Sequence, residues 1–193
     1  RQVLHWLGRI LGGVVAFYGL LIFLFSFLPP PGNIYQWQES WRLGGIEREW
    51  VSWADISPDM ARSAVAGEDA NFCLHWGLDV KAIEAALDAG GTRGASTISQ
   101  QVVKNVFLMQ DRSWIRKAIE ALWTPMTEVI WSKRRILELY LNVAEFGEGV
   151  FGVQAGAQYY FGVDAADLSA LQAARLAAVL PNPKERNAAN PTS

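Results

Sequence analysis

The feature that most restricts the fold of this chain is an uncharged apolar run from Ile10 to Leu28. Its 19 residues are almost all Leu, Ile, Val, Phe, Ala or Gly. A helix of that length, at about 1.5 Å per residue, nearly covers the ~30 Å hydrocarbon core of a bilayer. A buried helix with no polar face would need a larger protein around it. The sequence therefore predicts a transmembrane helix over residues 10–28.

The charges that flank this run predict its orientation. Arg1 and Arg9 precede it, and the first charged residue after it is Glu39. The positive-inside rule then places residues 1–9 in the cytoplasm and the chain from Pro29 onward outside. The alternative is a cleaved signal peptide, whose apolar core usually has about 7–15 residues and ends at a small-x-small site. This run ends at three prolines, which favours an anchor.

Four tryptophans follow in the segment 29–54, at Trp37, Trp41, Trp50 and Trp53. Trp favours the headgroup level of a membrane, because its ring is apolar and its N–H is polar. The same residues could equally be core aromatics, and the sequence leaves both interpretations open. We predict a juxtamembrane segment over 29–54.

Composition then limits the class of the remaining chain. A length of 193 residues suits one domain, and 51% hydrophobic content with 9 Trp and 9 Phe excludes disorder. A formal net charge of -2 argues against a nucleic-acid-binding protein. One Cys and two His cannot form an intrachain disulfide or a four-ligand structural zinc site.

From Ser57 onward, Gly and Pro divide the chain into helical patterns, and no alternating β-branched run predicts a sheet. The predicted helices begin at Ser57, Asp79, Ser96, Ser113 and Ser132 and lie at about 153–161 and 167–180, with a kink at Pro125 and a Gly-rich loop over 142–152. The sequence therefore predicts a mainly α domain.

A first polar constellation lies where the Ser57 helix ends. Glu68 and Asp69 precede Phe72 and Trp76, and partial burial by these rings would favour a working general base. A Glu-Asp pair on a helix is also a common solvated surface feature. His75 is more typical of a packed or hydrogen-bonded histidine than of a catalyst.

A second constellation lies on the helix that begins near Ser96. Ser96, Gln100 and Lys104 are spaced four apart on one face, with Gln101 and Asn105 beside them. A Gly-rich entry, the free N–H groups of the first turn and one cation favour a diphosphate ligand. The alternative is a polar face in solvent.

A third constellation is Arg112, Arg116 and Glu120, also spaced four apart. It presents two guanidinium groups beside a second carboxylate, although helical ion pairs have the same spacing. The run Lys133-Arg134-Arg135 is predicted to be a solvated face.

These stretches together resemble the signature motifs of the peptidoglycan glycosyltransferases, the lipid II polymerases of glycosyltransferase family 51. The motifs that carry the resemblance are Glu68-Asp69-x-x-Phe72-x-x-His75-x-Gly77-x-Asp79, Gly94-Ala95-Ser96-Thr97-Ile98-x-Gln100-Gln101-x-x-Lys104-Asn105, Arg116-Lys117-x-x-Glu120, Ser132-Lys133-Arg134-Arg135-Ile136-Leu137-Glu138-Leu139-Tyr140-Leu141-Asn142, Glu145-Phe146-Gly147-Glu148-Gly149-Val150-Phe151-Gly152 and Ala177-Ala178-Val179-Leu180-Pro181-Asn182-Pro183. They occur in order from about Asp55 to Pro191.

The resemblance implies a lysozyme-like, mainly α glycosyltransferase domain over 55–193. It implies a monofunctional enzyme of the bacterial inner membrane, with its catalytic domain in the periplasm. Such an enzyme joins lipid II units into a growing glycan strand, forms β-1,4 links with inversion and releases undecaprenyl diphosphate. Its partners would be lipid II, the strand, the membrane and cell-wall or division proteins, with no nucleic acid.

The resemblance also implies roles for individual residues. Glu68 resembles the general base, Glu120 the second acidic residue on the donor side, and Lys104 and Arg112 the groups that stabilise the leaving diphosphate. The donor subsite would include Ser96, Gln100, Gln101, Asn105 and Arg116. No cofactor is expected to bind tightly, but Mg²⁺ or Mn²⁺ could bind with the diphosphate.

Two other functions stay open at this point. A lysozyme-like muramidase or lytic transglycosylase shares the fold and a catalytic Glu but cleaves the polymer. A membrane-anchored scaffold without activity is the third hypothesis. Gly67 and Cys73 depart from the family pattern: Gly67 is predicted to loosen the helix end that carries Glu68, and Cys73 to be open to oxidation.

Overall fold

The computed structural model describes residues 2–88, 90, 94, 96–110 and 113–190. Helices dominate these residues, which confirms the predicted mainly α class. The helices are α1 (Gln2–Phe25), α2 (Ile34–Leu43), α3 (Pro58–Glu68), α4 (Val80–Asp88), α5 (Ile98–Phe107), α6 (Trp114–Ile130), α7 (Lys133–Val143), α8 (Val153–Phe161) and α9 (Ala170–Val179), with short 3₁₀ turns at Trp53–Asp55 and Ala165–Asp167.

Serine side chains start several of these helices, as the sequence predicted. Ser57, Ser113 and Ser132 accept hydrogen bonds from backbone N–H groups in the first turns of α3, α6 and α7. The prediction for the last helix was wrong at its start, because the residues before Ser169 form a 3₁₀ turn and α9 begins after it.

Helix α6 runs through Pro125 to Ile130 without a break, and the predicted kink at this residue stays a prediction. Thr124 and Thr127 beside it are buried, and the Thr124 hydroxyl donates to the backbone oxygen of Glu120. Packing on both sides of the proline therefore keeps the helix continuous.

The core lies between two helix pairings. Helix α3 packs on α9, and α5 packs against both α6 and α7. Ile98, Val102 and Val103 on α5 are completely buried, as are Leu139 and Leu141 on α7. This arrangement brings the end of α3, where Glu68 lies, to the polar face of α5.

A three-stranded sheet covers one edge of the core, where the sequence predicted a Gly-rich loop and no sheet. Its strands are β1 (Glu47–Arg48), β2 (Glu145–Gly147) and β3 (Val150–Phe151). The order is β1-β3-β2, with β1 parallel and β2 antiparallel to β3. Strands of two or three residues are too short to show alternation in a sequence.

Helix α1 is shifted relative to the predicted span 10–28. It begins at Gln2 and ends at Phe25, so Arg9 lies within it and Leu28 lies beyond it. The end is explained by the three prolines, because a residue that precedes proline disfavours the α conformation. The segment His5–Phe25 is long and apolar enough to cross a membrane.

The C-terminal half of α1 is docked on the helical domain. Ile22 is 1% exposed, and its backbone oxygen accepts a 2.7 Å hydrogen bond from Nε1 of Trp131. Arg135 donates to the backbone oxygens of Phe25 and Leu28, at 2.9 and 2.7 Å. The bonds to Ile22 and Phe25 satisfy carbonyls that the end of α1 leaves without partners, and the bond to Leu28 holds the segment that follows.

The four tryptophans of the segment 29–54 divide between the two interpretations. Trp37 and Trp41 on α2 are 63% and 92% exposed, so a position at the membrane surface stays a prediction for them. Trp50 and Trp53 pack against the core beneath the guanidinium groups of Arg135 and Arg134.

We expect Gly77→Ala to destabilise the domain near Glu68. Gly77 has a φ of +84°, and a Cβ atom there would lie 2.6 Å from Cγ2 of Thr124. The strained backbone and the clash should lower the free energy of unfolding by about 1–3 kcal/mol, which is measured as a lower Tm from tryptophan fluorescence in detergent.

The matched control is Gly67→Ala, where a Cβ atom would meet nothing within 4 Å. Alanine within a helix should keep the Tm of Gly67→Ala at or above that of the unmodified protein. Equal Tm values for the two variants would contradict the expectation for Gly77.

Candidate active site

Glu68 is the last residue of α3, which continues unbroken through Gly67. Its side chain is half-buried and lines a cleft of about 210 Å³ together with Ser96. Oε2 of Glu68 accepts a 2.8 Å hydrogen bond from Nε2 of Gln101 on α5. Within the described ranges Oε1 accepts no hydrogen bond, so this oxygen is available to a ligand in the cleft.

The aromatic residues predicted to cover Glu68 are placed differently from one another. Phe72 is buried in the core, whereas Trp76 is 72% exposed and lines a separate depression with His75 and Val80. Trp76 therefore does not provide the burial that the sequence suggested for Glu68.

Asp69 and His75 form a buried pair that supports the end of α3. Nε2 of His75 lies 2.9 and 3.0 Å from the Asp69 carboxylate oxygens, and Nδ1 accepts a hydrogen bond from the N–H of Gly77. This pattern places the imidazole proton on Nε2. The N–H of Ile98 also donates to Asp69, at 2.9 Å. His75 is therefore a hydrogen-bonded structural residue, as predicted, and the pair fixes α3 relative to α5.

The N-cap of helix α5 lies one residue after the predicted start at Ser96. Thr97 is its N-cap, and Gln100 returns its side chain to the Thr97 backbone in a capping box. Gln100 is 3% exposed and its amide oxygen serves the backbone, so the structure places it away from the open face. Asn105 lines a different cleft from Glu68, on the side of Lys104, and its Oδ1 accepts a hydrogen bond from Gln110 at 2.8 Å.

Lys104 lies on the wall of a second cleft, of about 250 Å³, together with Gln101 and Tyr140. The hydrogen bond between Gln101 and Glu68 joins the two clefts. Across the described residues, Lys104 makes no ion pair or hydrogen bond. A half-buried cation without a carboxylate partner is suited to an anionic ligand.

Burial lowers the pKa of Lys104 by penalising its charged form. The charges of Arg116 and Lys117 lower it further, while Glu120 and Glu68 oppose the shift. These four groups therefore surround Lys104 closely enough to act on its charge.

Glu120 is buried and bound to two cations. Its Oε2 lies 2.6 Å from Nη1 of Arg116, and its Oε1 lies 2.5 Å from Nζ of Lys117. Lys117 also donates to the Ser96 hydroxyl at 3.1 Å. The helical ion-pair interpretation is confirmed for Arg116 and Glu120, although Glu120 is only 2% exposed. Both carboxylate oxygens are engaged, so Glu120 is placed to hold these cations rather than to move a proton.

Arg112, predicted to bind the diphosphate, lies outside the residues that the structure describes. Lys117 was quoted in a motif but was not predicted as a site residue, and its contacts place it in the cation cluster with Arg116.

Only Arg134 of the run from Lys133 to Arg135 is exposed, as the sequence predicted, while Lys133 and Arg135 are partly buried. Nζ of Lys133 lies 2.8 Å from Oε1 of Glu128 and 2.7 Å from the backbone oxygen of His75. Arg135 pairs with Glu138 at 2.8 Å in addition to holding the end of α1. Lys133 therefore fixes the loop that follows Glu68.

Tyr35 and Glu145 were not predicted as site residues, and both line the cleft beside Lys104. The Tyr35 hydroxyl donates to Oε2 of Glu145 at 2.6 Å, and burial raises the pKa of Glu145. Helix α2 thus contributes to the cleft wall, although the sequence assigned it to a juxtamembrane segment. The two residues are far apart in the chain, and no local pattern connects them.

The carboxylates of the site do not form a metal cage. No group of three His, Cys, Asp or Glu side chains among the described residues could hold a metal ion. Glu120 would have to give up Arg116 or Lys117 to coordinate one. These contacts do not suit a resident cation, and Mg²⁺ or Mn²⁺ brought by a diphosphate stays a proposal.

The lowered pKa of Lys104 predicts a pH dependence. As the pH rises, Lys104 should lose its proton before the pH reaches 10.5, the usual lysine pKa, because burial favours the neutral amine. We expect kcat/KM to fall along an alkaline limb, and Lys104→Arg to move that limb upward because arginine stays charged. Initial rates between pH 7 and 11 measure this alkaline limb. Identical limbs for the unmodified protein and Lys104→Arg would show that activity does not depend on the charge of Lys104.

The mainly helical domain and the helix of membrane-spanning length agree with the family that the motifs resemble. So do the two joined clefts, with Glu68 in one and, in the other, a lysine that has no partner in the described part of the chain. The model of the Transglycosylase family matches residues 37–193, and the chain belongs to this family. It is therefore an enzyme of peptidoglycan glycosyl transfer, and the family membership agrees with the predicted lysozyme-like fold.

Individual relatives agree with this assignment. The chain is 58% identical over 188 residues to the "Biosynthetic peptidoglycan transglycosylase" of Jannaschia sp. (strain CCS1), covering 97% of this chain and 79% of the relative. Proteins of the same name are 49% identical in Pseudomonas putida (strain W619), covering 90% and 78%, and 46% identical in Stutzerimonas stutzeri (strain A1501), covering 100% and 84%.

Proposed function

We propose that the enzyme elongates glycan strands from lipid II, forming β-1,4 links with inversion and releasing undecaprenyl diphosphate. The observation that carries this proposal is the ammonium of Lys104, which pairs with no side chain of the described residues. It lies one helical turn from Gln101, which donates to Glu68. An enzyme that cleaves a neutral glycosidic link has no diphosphate to neutralise. The Lys104 cation therefore favours polymerisation over a lytic reaction.

In the proposed reaction, Glu68 is the general base. The acceptor 4-hydroxyl attacks the anomeric carbon of the donor as Oε1 of Glu68 takes the hydroxyl proton. The new C1–O4 bond forms while the C1–O bond to the diphosphate breaks, and the diphosphate leaves with the electron pair. One base and one group that neutralises the leaving diphosphate are sufficient for this inversion.

Lys104 is proposed to stabilise the leaving diphosphate, with Arg116 and, from the motif resemblance, Arg112. Glu120 would hold Arg116 and Lys117 toward the donor through its two short contacts. Ser96, Gln101 and Asn105 are proposed to line the donor subsite. Gln100 supports that subsite indirectly, since its side chain closes the capping box of α5.

The proposed location is the bacterial inner membrane. Helix α1 would cross the bilayer once, with its N-terminus in the cytoplasm because Arg1 and Arg9 precede the apolar run. The catalytic domain would then lie in the periplasm, where the lipid II headgroup and the growing strand are available. Partner proteins of the cell wall or division machinery stay a prediction.

The test is turnover of detergent-solubilised protein on lipid II. Glycan strands and released undecaprenyl diphosphate are the expected products. Release of muropeptides from finished sacculi without strand formation would overturn the proposal in favour of the lytic reaction. A chelator titration in the same assay tests the divalent cation, because activity that persists without metal excludes a required ion.

A further inference from the structure

Tyr140 on α7 has a hydroxyl that the protein does not use. Its side chain is 1% exposed, among the largest fully buried side chains. Buried tyrosine hydroxyls usually have a hydrogen-bond partner. The Tyr35 hydroxyl donates to Glu145 and the Tyr160 hydroxyl to the Phe146 backbone oxygen, at 2.6 and 3.0 Å. The Tyr140 hydroxyl has no partner among the residues that the structure describes.

The unpaired hydroxyl opens on the cleft. Tyr140 lines the same wall as Gln101 and Lys104. In the described part of the chain, the side-chain atoms that are both fully buried and unpaired belong to Gln36 and Arg48. The Tyr140 hydroxyl is unpaired but is not one of these fully buried atoms, so the oxygen itself keeps some exposure. The oxygen is therefore accessible from the cleft, while the ring is enclosed by the core.

Burial and a nearby negative charge keep this hydroxyl protonated, so it can donate a hydrogen bond. Burial raises the pKa of Tyr140 well above its usual value, and the nearby negative charge of Glu68 raises it further. The hydroxyl therefore keeps its proton throughout the working pH range. A protonated donor held by a rigid core beside a carboxylate is suited to a ligand oxygen.

We propose that Tyr140 is a substrate-binding residue whose hydroxyl donates a hydrogen bond to an oxygen of the saccharide bound beside Glu68. The identity of that saccharide as a peptidoglycan glycan rests on the proposed function. A sugar hydroxyl or N-acetyl oxygen is the proposed acceptor, because the negative charge of Glu68 acts on Tyr140, whereas Lys104 on the same wall supplies the cation for the diphosphate.

The experiment compares Tyr140→Phe with Tyr160→Phe, since each change removes one hydroxyl. Both are made in a Glu68→Gln background for binding and in the unmodified protein for kinetics. The probes are a GlcNAc-MurNAc tetrasaccharide without diphosphate and inorganic diphosphate. Tyr140→Phe should weaken tetrasaccharide binding roughly 3- to 10-fold, leave diphosphate binding unchanged, raise the KM for lipid II similarly and alter kcat little.

Stability distinguishes this role from a structural one. Tyr140→Phe should keep the Tm of the parent protein, because its hydroxyl bonds to none of the residues that the structure describes. Tyr160→Phe should lower the Tm, because it leaves the Phe146 carbonyl unpaired, and should bind the tetrasaccharide normally.

Unchanged tetrasaccharide binding by Tyr140→Phe overturns the inference, and so does a loss confined to diphosphate. A protein that binds the tetrasaccharide through Tyr140 but makes no strands from lipid II overturns the proposed function alone. A protein that makes strands while Tyr140→Phe binds normally overturns this inference alone.

Discussion

Glu68→Gln is expected to lower kcat for strand polymerisation by about 10²- to 10⁴-fold. A carboxamide cannot take the proton from the acceptor hydroxyl. Its oxygen can still accept the hydrogen bond that Gln101 donates to Glu68, at 2.8 Å in the unmodified protein. The substitution should therefore preserve the fold and the binding of lipid II, and the loss should lie in kcat rather than in KM. The measurement is strand formation from lipid II at saturating substrate.

The matched control is Glu47→Gln, which removes the same charge from an exposed side chain on β1. It should polymerise at the normal rate. Activity retained by Glu68→Gln would rule out its assignment as the base. Cell-wall phenotypes that do not change with Glu68→Gln would instead favour a scaffold that has lost its activity.

Lys104→Met is expected to lower kcat/KM by about 10²- to 10³-fold, the usual cost of removing one group that stabilises a developing anion. Its Tm should stay the same or rise, because Lys104 pairs with no carboxylate in the described structure and its charge is desolvated. Inhibition by inorganic diphosphate should weaken in parallel. Lys104→Arg keeps the charge and should recover part of the loss.

Lys184→Met is the matched control, and it is expected to lose stability rather than activity. Nζ of Lys184 lies 3.0 Å from Oε2 of Glu39, and Arg42 also pairs with this oxygen, at 2.5 Å. Removing this lysine should lower the Tm more than it lowers turnover, because its partner is a structural carboxylate. If Lys104→Met also lost stability and kept its sensitivity to diphosphate, Lys104 would be structural instead.

The buried Glu120 has a physical role in the cluster of cations formed by Lys104, Arg116 and Lys117. The positive charges of Arg116 and Lys117 act on Lys104 and repel it, and a bound diphosphate would relieve that repulsion. Glu120 supplies part of the compensation when no ligand is bound, through Arg116 and Lys117. This explains how an acidic residue can support a diphosphate site without acting as an acid.

Local patterns were sufficient for much of the helical structure. The serine caps at Ser57, Ser113 and Ser132 follow from hydrogen bonds that span three residues or fewer, and the structure confirms all three. The start of α5 was missed by one residue, because Ser96 and Thr97 are adjacent cap candidates. The capping box with Gln100 decides between them.

The sequence by itself determined the apolar helix of membrane-spanning length, the mainly α class and the residues that carry charge, because helix periodicity, caps and composition act over short separations. Only the tertiary structure decided which polar groups meet. It paired Glu68 with Gln101 and Tyr35 with Glu145, and it docked the end of α1 on Trp131 and Arg135. It also left the hydroxyl of Tyr140 without a partner among the residues that the structure describes. These outcomes depend on which helix faces pack together, and no spacing along the chain encodes them.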